Sequence, residues 1–234
     1  MKHTKRTQTQ NESLHLGHEV GQGQVRPKKA NVSAILEYPV PATRKALRRF
    51  LGMPGYYRRF CPNFAAVTVP LTRLTSGAVS YTWTKDCQAA FDQLKKFLAQ
   101  GPVLIAPDFT KPFALQTDAS DHASGAVFLQ EVEGILHPIA YHSNKFTVHQ
   151  KQYSTIEKEL LAFVSAIQKF QCYLQPSREP LQVFTDHNPL FFLHRSKFSN
   201  QRLLRWSLFL QPYNMTIIHI KGTDDVIADA LSRS

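Results

Sequence analysis

No stretch of the 234-residue chain approaches the ~20 consecutive apolar residues that a membrane-spanning helix needs, which argues against a spanning protein. The start, Met1-Lys2-His3-Thr4-Lys5-Arg6, is basic but lacks the apolar core of a secretory signal. Cysteine is scarce: Cys61, Cys87 and Cys172 lie far apart and form no C-x-x-C pair. Neither a disulfide framework nor a zinc knuckle is expected, and an intracellular, reduced protein is. Internal repeats and low-complexity tracts are missing too. With 43% hydrophobic and 19% charged residues, the chain has enough apolar material for two small domains with cores of their own.

The net charge of +11 is unevenly distributed. Residues 1–102 hold 16 Lys and Arg against 5 Asp and Glu, whereas residues 103–234 hold 12 of each. All of the excess lies in the first part, where a polyanion such as nucleic acid is the natural partner. A solvated basic surface is the plainer reading of the same count. The second part is neutral but keeps several acids in otherwise apolar strands.

Patterning divides the chain at the same place. Leu16 to Val25 reads as a short hairpin turning at Gly21-Gln22-Gly23. After the breaks at Pro39 and Pro41, Thr43 is a candidate N-cap for a helix with Leu47, Phe50 and Leu51 as its stripe and Gly52 as its stop. Arg44, Lys45, Arg48 and Arg49 fill much of its remaining face, and Arg58 and Arg59 follow in Gly55-Tyr56-Tyr57-Arg58-Arg59-Phe60. Aromatics among arginines suit contact with a duplex, yet Tyr56, Tyr57 and Phe60 serve equally well as core. Thr84 caps a second helix with Phe91, Leu94 and Leu98 on one face and Gly101 at its end. These segments predict a small, basic, mainly helical module.

Beyond Gly101-Pro102 the period changes. Strands are expected at Phe113–Thr117, Gly125–Gln130 and Ile135–His142, the last two joined through Glu133-Gly134. A long helix over 152–173, a strand at Leu181–Thr185, a helix between Asn200 and Gln211 and a strand at Met215–Ile220 follow. Gly222 then opens a loop toward a terminal helix around Ala228-Asp229-Ala230-Leu231. The order predicts a mixed sheet covered by helices, an α/β or α+β domain.

Two of these strands end in an acid, at Thr117-Asp118 and Thr185-Asp186, where side chains project to the rim of a sheet. The long helix carries Glu157 and Glu159, and the last helix carries Asp229. Carboxylates converging from separate elements repel unless cations lie between them. Mg²⁺ prefers such oxygen donors together with substrate phosphates. Taken singly, Asp118 and Asp186 read as turn or cap acids and Asp229 as a first-turn acid.

At these residues the sequence resembles the C-terminal part of the polyprotein of gypsy-type LTR retrotransposons, the end of reverse transcriptase followed by RNase H. The likeness rests on Phe50-Leu51-Gly52-Met53-Pro54-Gly55-Tyr56-Tyr57-Arg58-Arg59-Phe60, Gln116-Thr117-Asp118-Ala119-Ser120 and Glu157-Lys158-Glu159-Leu160-Leu161-Ala162. Phe184-Thr185-Asp186-His187, Arg205-Trp206 and Ala228-Asp229-Ala230-Leu231-Ser232-Arg233 continue it, so that it covers roughly residues 15–234. The resemblance implies an RNase H fold for 103–234, a mixed five-stranded sheet flanked by helices. It implies a thumb-like module over 36–101, after a frayed start and a remnant of the palm and primer-grip hairpin in 1–35. It also implies hydrolysis of the RNA strand of RNA/DNA hybrids with two Mg²⁺ or Mn²⁺ ions, leaving a 3′-hydroxyl and a 5′-phosphate.

Carried over residue by residue, the resemblance makes Asp118, Glu159, Asp186 and Asp229 the catalytic acids and metal ligands. Glu157 is about 200° around the helix from Glu159, so the two cannot enter one site. Leu16 and Gly17 fall in the hairpin that grips the primer, and Arg44, Lys45, Arg48, Arg49, Arg58 and Arg59 would hold the hybrid. His187 is expected to be a neighbour rather than a ligand, and His219 a structural residue within its strand. Asp225 stands where the family usually has Asn. No Y-x-D-D motif occurs in this sequence, so polymerase activity is not expected of this chain alone. Partners implied are the RNA/DNA hybrid and a reverse transcriptase or integrase of the same polyprotein. The alternative is a catalytically silent nucleic-acid-binding or scaffold module, and all four acids weigh against it.

Overall fold

The computed structural model describes residues 13–15, 17–175, 177–185 and 201–220. At its start β1 (Ser13–His15) pairs antiparallel with β2 (His18–Gly21), which turns into β3 (Gln24–Pro27). Gln22 and Gly23 both take positive φ, 53° and 71°, the backbone that a tight two-residue hairpin turn requires. The hairpin expected between Leu16 and Val25 is therefore present.

Helices follow: α1 (Lys29–Leu36), α2 (Arg44–Tyr56), a 3-10 turn (Arg58–Phe60), α3 (Phe64–Val67), α4 (Val69–Leu74) and α5 (Lys85–Ala99). The Thr43 hydroxyl accepts from the Ala46 amide (3.2 Å) and Thr84 from Cys87 (3.3 Å), so both expected caps form. Gly101, with φ 64°, follows the end of α5 as expected. Gly52, in contrast, does not stop α2, which runs on across Pro54 to Tyr56. Leu47, Phe50 and Pro54 lie three and seven residues apart on one buried stripe, and their packing offsets the hydrogen bond that proline removes. Tyr57 and Phe60 are core residues, whereas Tyr56 is 52% exposed.

The next element, β4 (Leu104–Ile105), returns to pair with β3 and completes a four-stranded sheet. Ile35, Leu47, Phe50, Phe91, Leu98 and Leu104 share one apolar cluster, so hairpin, helices and β4 enclose a common core.

A second sheet is built from β5 (Phe113–Ala119), β6 (Ala123–Val132), β7 (Ile135–Lys145), β8 (Leu181–Thr185) and β9 (Met215–His219), in the spatial order β7-β6-β5-β8-β9. The first three run antiparallel and the last two pair parallel, giving the mixed five-stranded sheet expected from the sequence. Glu133 and Gly134, at φ 53° and 82°, form the turn between β6 and β7. Pro138 lies at an irregularity in the edge strand β7, where its missing N–H disturbs the ladder least.

The long helix expected over 152–173 is present as α7 (Thr155–Leu174), and a short helix, α6 (Val148–Lys151), precedes it. Thr147 with Gln150 and Ser154 with Glu157 each make a capping box, so the chain starts a helix twice. Ile156, on the outer face of α7, is 44% exposed. The remaining helix α8 (Gln201–Leu210) matches its expected span, and the expected terminal helix around residue 228 lies outside the described residues.

Both faces of this sheet are covered. Phe113, Leu115, Phe128 and Val183 pack on one side with Phe163, Ile167 and Phe170 of α7 and Leu203 of α8. On the other side Ala114, Val127 and Leu129 cluster with Leu136, Tyr141 and Phe184, and Tyr141 also reaches the N-terminal core. There α3 and the 3-10 turn lie against β7, and the Ala65 amide donates to the Ser143 hydroxyl (2.9 Å). Burial pushes the Tyr141 phenol and the neighbouring Cys61 thiol up to about 12, consistent with a dry seam.

Candidate active site

Asp118 is the penultimate residue of β5 and is exposed at the strand's end, as its place in the pattern suggests. The half-buried Glu159 sits in the second turn of α7, and its Oε1 accepts from the Ala119 amide at 3.2 Å. A helix and a strand 40 residues apart are thus tied together one residue from Asp118. β8 lies parallel beside β5, with Gln116 opposite Phe184, so its chain direction leads to the same end of the sheet. Asp186 and Asp229 are outside the described residues, as are His187, Asp225 and Leu16. His219 is exposed within β9, opposite Thr185.

The two glutamates of α7 have separate roles, as their angular separation requires. The Glu157 carboxylate accepts from the Ser154 amide (3.1 Å) and from Arg202 of α8, whose guanidinium lies 3.9 Å over the Tyr153 ring. Burial raises its pKa, but Ser154 and Arg202 outweigh that and hold the carboxyl below its usual range. Glu157 is therefore a helix-capping and helix-bridging residue. The pattern Ser154-x-x-Glu157 is a capping-box signature and was legible in the sequence.

Sequence reasoning missed the groups that pin the strand end. The Ser120 hydroxyl accepts from the His122 and Ala123 amides (3.2 and 3.1 Å) and shapes the turn from β5 into β6. In that turn Asp121 pairs with Lys158 at 2.7 Å. Lys158 is almost fully buried while the Asp121 side chain is 83% exposed. The hydrogen bond and charge of Lys158 hold the Asp121 carboxyl below its ordinary range. Residues 158 and 159 of the helix thus fasten residues 121 and 119 of the strand segment, on either side of Asp118's successor turn.

The basic residues divide into two groups. The Arg44 guanidinium donates to the carbonyls of Ser76 and Val79, and Arg48 donates to Thr75 (2.7 Å). These two hold the loop after α4 in place. Lys45, Arg49 and Arg58 are exposed, and Arg59 is half-buried with its guanidinium 5.9 Å from the Phe60 ring centre. Gly17 takes φ 78°, and its carbonyl accepts from the Tyr57 hydroxyl (3.0 Å) and the Lys28 amide (3.1 Å). The Asn31 carboxamide donates in turn to the Tyr57 oxygen (2.7 Å), which braces the hairpin on the helices.

Among the described residues no three His, Cys, Asp or Glu side chains cluster as a metal site, and no helix is long and apolar enough to cross a membrane. Asp118 and Glu159 are nonetheless hard oxygen donors of the kind Mg²⁺ takes, with phosphates and water filling its remaining positions. Residues 108–213 match the model of the RNase H-like domain found in reverse transcriptase. This part of the chain is an RNase H-like domain. The whole chain is similar to a retrovirus-related Pol polyprotein from transposon 297 of Drosophila melanogaster, 41% identical over 223 residues, 95% of this chain and 20% of the relative. It is also similar to the transposon Tf2-3 polyprotein of Schizosaccharomyces pombe, 37% identical over 227 residues, 96% of this chain and 17% of that one. The chain therefore spans about a fifth of the curated relatives it matches. A foamy viral protease-reverse transcriptase in complex with RNA/DNA hybrid shares the fold, with TM-score 0.76 and 23% identity over 91% of this chain and 29% of that one. The RNase H-like domain and the helical module before it both fall within that likeness.

Proposed function

We propose that the chain is a metal-dependent endonuclease that hydrolyses the RNA strand of RNA/DNA hybrids, with residues 103–234 doing the chemistry and the thumb-like module of 36–101 gripping the duplex. The observation that carries this reading is the bond from the Ala119 amide to Glu159, which brings a helix carboxylate beside the strand-end Asp118. Similarity to Pol polyproteins and the nucleic acid bound by a structural neighbour support it. Asp118 and Glu159, with Asp186 and Asp229, would hold two Mg²⁺ or Mn²⁺ ions. Bound there, such ions supply positive charge that stabilises the phosphodiester transition state and lowers the pKa of water. The protein's own part is to orient the carboxylates: the Ala119 amide holds one Glu159 oxygen, and the Lys158–Asp121 pair keeps the start of α7 on the strand end. Lys45, Arg49 and Arg58 would meet the phosphate backbone, while Arg44 and Arg48 shape the surface that presents them. Partners of the same polyprotein, a reverse transcriptase or integrase, complete the proposal.

Cleavage of an end-labelled RNA strand in a hybrid, with Mg²⁺, with EDTA and with Asp118→Asn, tests it. Metal-dependent cutting by the wild-type chain that Asp118→Asn abolishes, with hybrid binding retained, is the expected result. Tight binding without cutting would replace the nuclease with a silent binding module.

A further inference from the structure

Asp118, Gly125 and Ser143 form one row across three neighbouring strands, since Asp118 pairs with Gly125 and Gly125 with Ser143. Directly paired residues of an antiparallel ladder project to the same face. On that face the start of α3 lies along the row. The Ala65 amide donates to the Ser143 hydroxyl, and the Asn63 carboxamide fills the place where a Gly125 side chain would stand, because a Cβ there would overlap its Oδ1. Gly125 has no left-handed backbone to account for it, so its glycine answers a need for space alone. Asn63 itself adopts φ 46°, a conformation that asparagine tolerates better than most residues. The helical module thus touches the sheet one strand from Asp118, about 5 Å by the ordinary strand spacing.

We propose that Asn63 is a positioning residue: seated on Gly125, it fixes the basic helical module at a set offset from Asp118, so that the chain itself measures where along a bound hybrid the cut falls. The inference rests on the nuclease reading and adds to it a source of cut-site register. A rigid seat at this row transmits any shift of the module directly to the acid-bearing strand pair, while Lys45 and Arg49 continue to contact phosphates as before.

The test compares the wild-type chain with Gly125→Ala, Asn63→Gly and the double variant on an end-labelled hybrid, reading cut positions, kcat and KM. Wild type is expected to cut at a narrow set of positions from the hybrid end. Gly125→Ala pushes Asn63 away and shifts those positions, with kcat lower by up to about 100-fold, the scale of a 1 Å misplacement, and KM held. Asn63→Gly, which keeps the φ > 0 backbone comfortable, broadens the cut positions, and the double variant behaves like Asn63→Gly rather than worse. A structural role alone would lower folding stability without moving the cuts. Should Gly125→Ala fail to fold, Asn63→Gly carries the decision, and a wild-type cut pattern in it overturns the proposal. Unchanged positions and kcat in Gly125→Ala overturn it as well. Absence of cutting by the wild-type chain would bring down the nuclease reading, and this inference with it.

Discussion

The N-terminal region builds its core from helices that each offer one apolar stripe, and it keeps its charge outside. The C-terminal sheet is buried on both faces, so its strands have little surface left for charge except at their ends. The difference fits a net charge of +11 that gathers in one region while the neutral one keeps an acid such as Asp118 exposed at a strand end. It also shows that a count of arginines overstates the free positive surface. Arg44 and Arg48 are taken up by loop carbonyls, and only part of the excess faces solvent without such a task.

The proposed contrast between a gripping region and a reacting one is most exposed to Glu159→Gln. Cleavage is expected to fall to background while hybrid affinity stays within about twofold, because the proposed phosphate contacts lie elsewhere. Equal loss of both in a binding and cleavage assay would break the division. Glu157→Gln is the companion: cutting persists, and chemical denaturation shows a loss of about 1 kcal/mol from the weakened cap and its Arg202 pair.

The packing of α7 on the second sheet offers a second test. His142 on β7 is buried beneath α7, bonded through Nε2 to Asn144 (3.1 Å), and Ser165 lies at 3.3 Å. Burial, with the positive charges of Arg58 and Lys169, lowers its pKa from 6.5 to about 4. The unfolded chain therefore takes up the proton first as pH falls. Stability from this group is whole above pH ~6.5 and is lost as pH drops toward 4, by roughly 2–3 kcal/mol. Urea unfolding of wild type and His142→Leu at pH 7, 5 and 4 measures it; parallel losses in the two proteins would acquit His142.

The smallest expected effect separates arginines within one helix. Arg48→Ala should cost about 1 kcal/mol of stability through the lost bond to Thr75 and leave the salt dependence of hybrid binding unchanged. Arg49→Ala should do the reverse, reducing the slope of log K against log salt by about 0.9. The same slope change in both would mean that Arg48 also reaches the backbone of the duplex.

Local chemistry is what the sequence made legible. The caps at Thr43 and Thr84, the turn at Gln22-Gly23, the strands that end near Asp118 and Asp186, and the opposition of Glu157 and Glu159 all follow from spacing within a few residues. Gly52 misled because the burial of Pro54 is a tertiary fact that overrides a local stop. The bonds of Arg44 and Arg48 were not legible because a guanidinium's carbonyl partners lie about 30 residues away. Asn63 against Gly125 was invisible for the same reason: nothing in a lone glycine names the side chain that fills its place.

The short strand β4 has a consequence for how the protein comes into being. Leu104 is fully buried in the N-terminal core, and its strand closes the edge of β3. During vectorial synthesis the hairpin and helices must wait for residues 104 and 105 to leave the ribosome before their fold is complete. An N-terminal fragment ended at Gly101 would lack that closing piece, and would expose both a bare strand edge and a gap in its core.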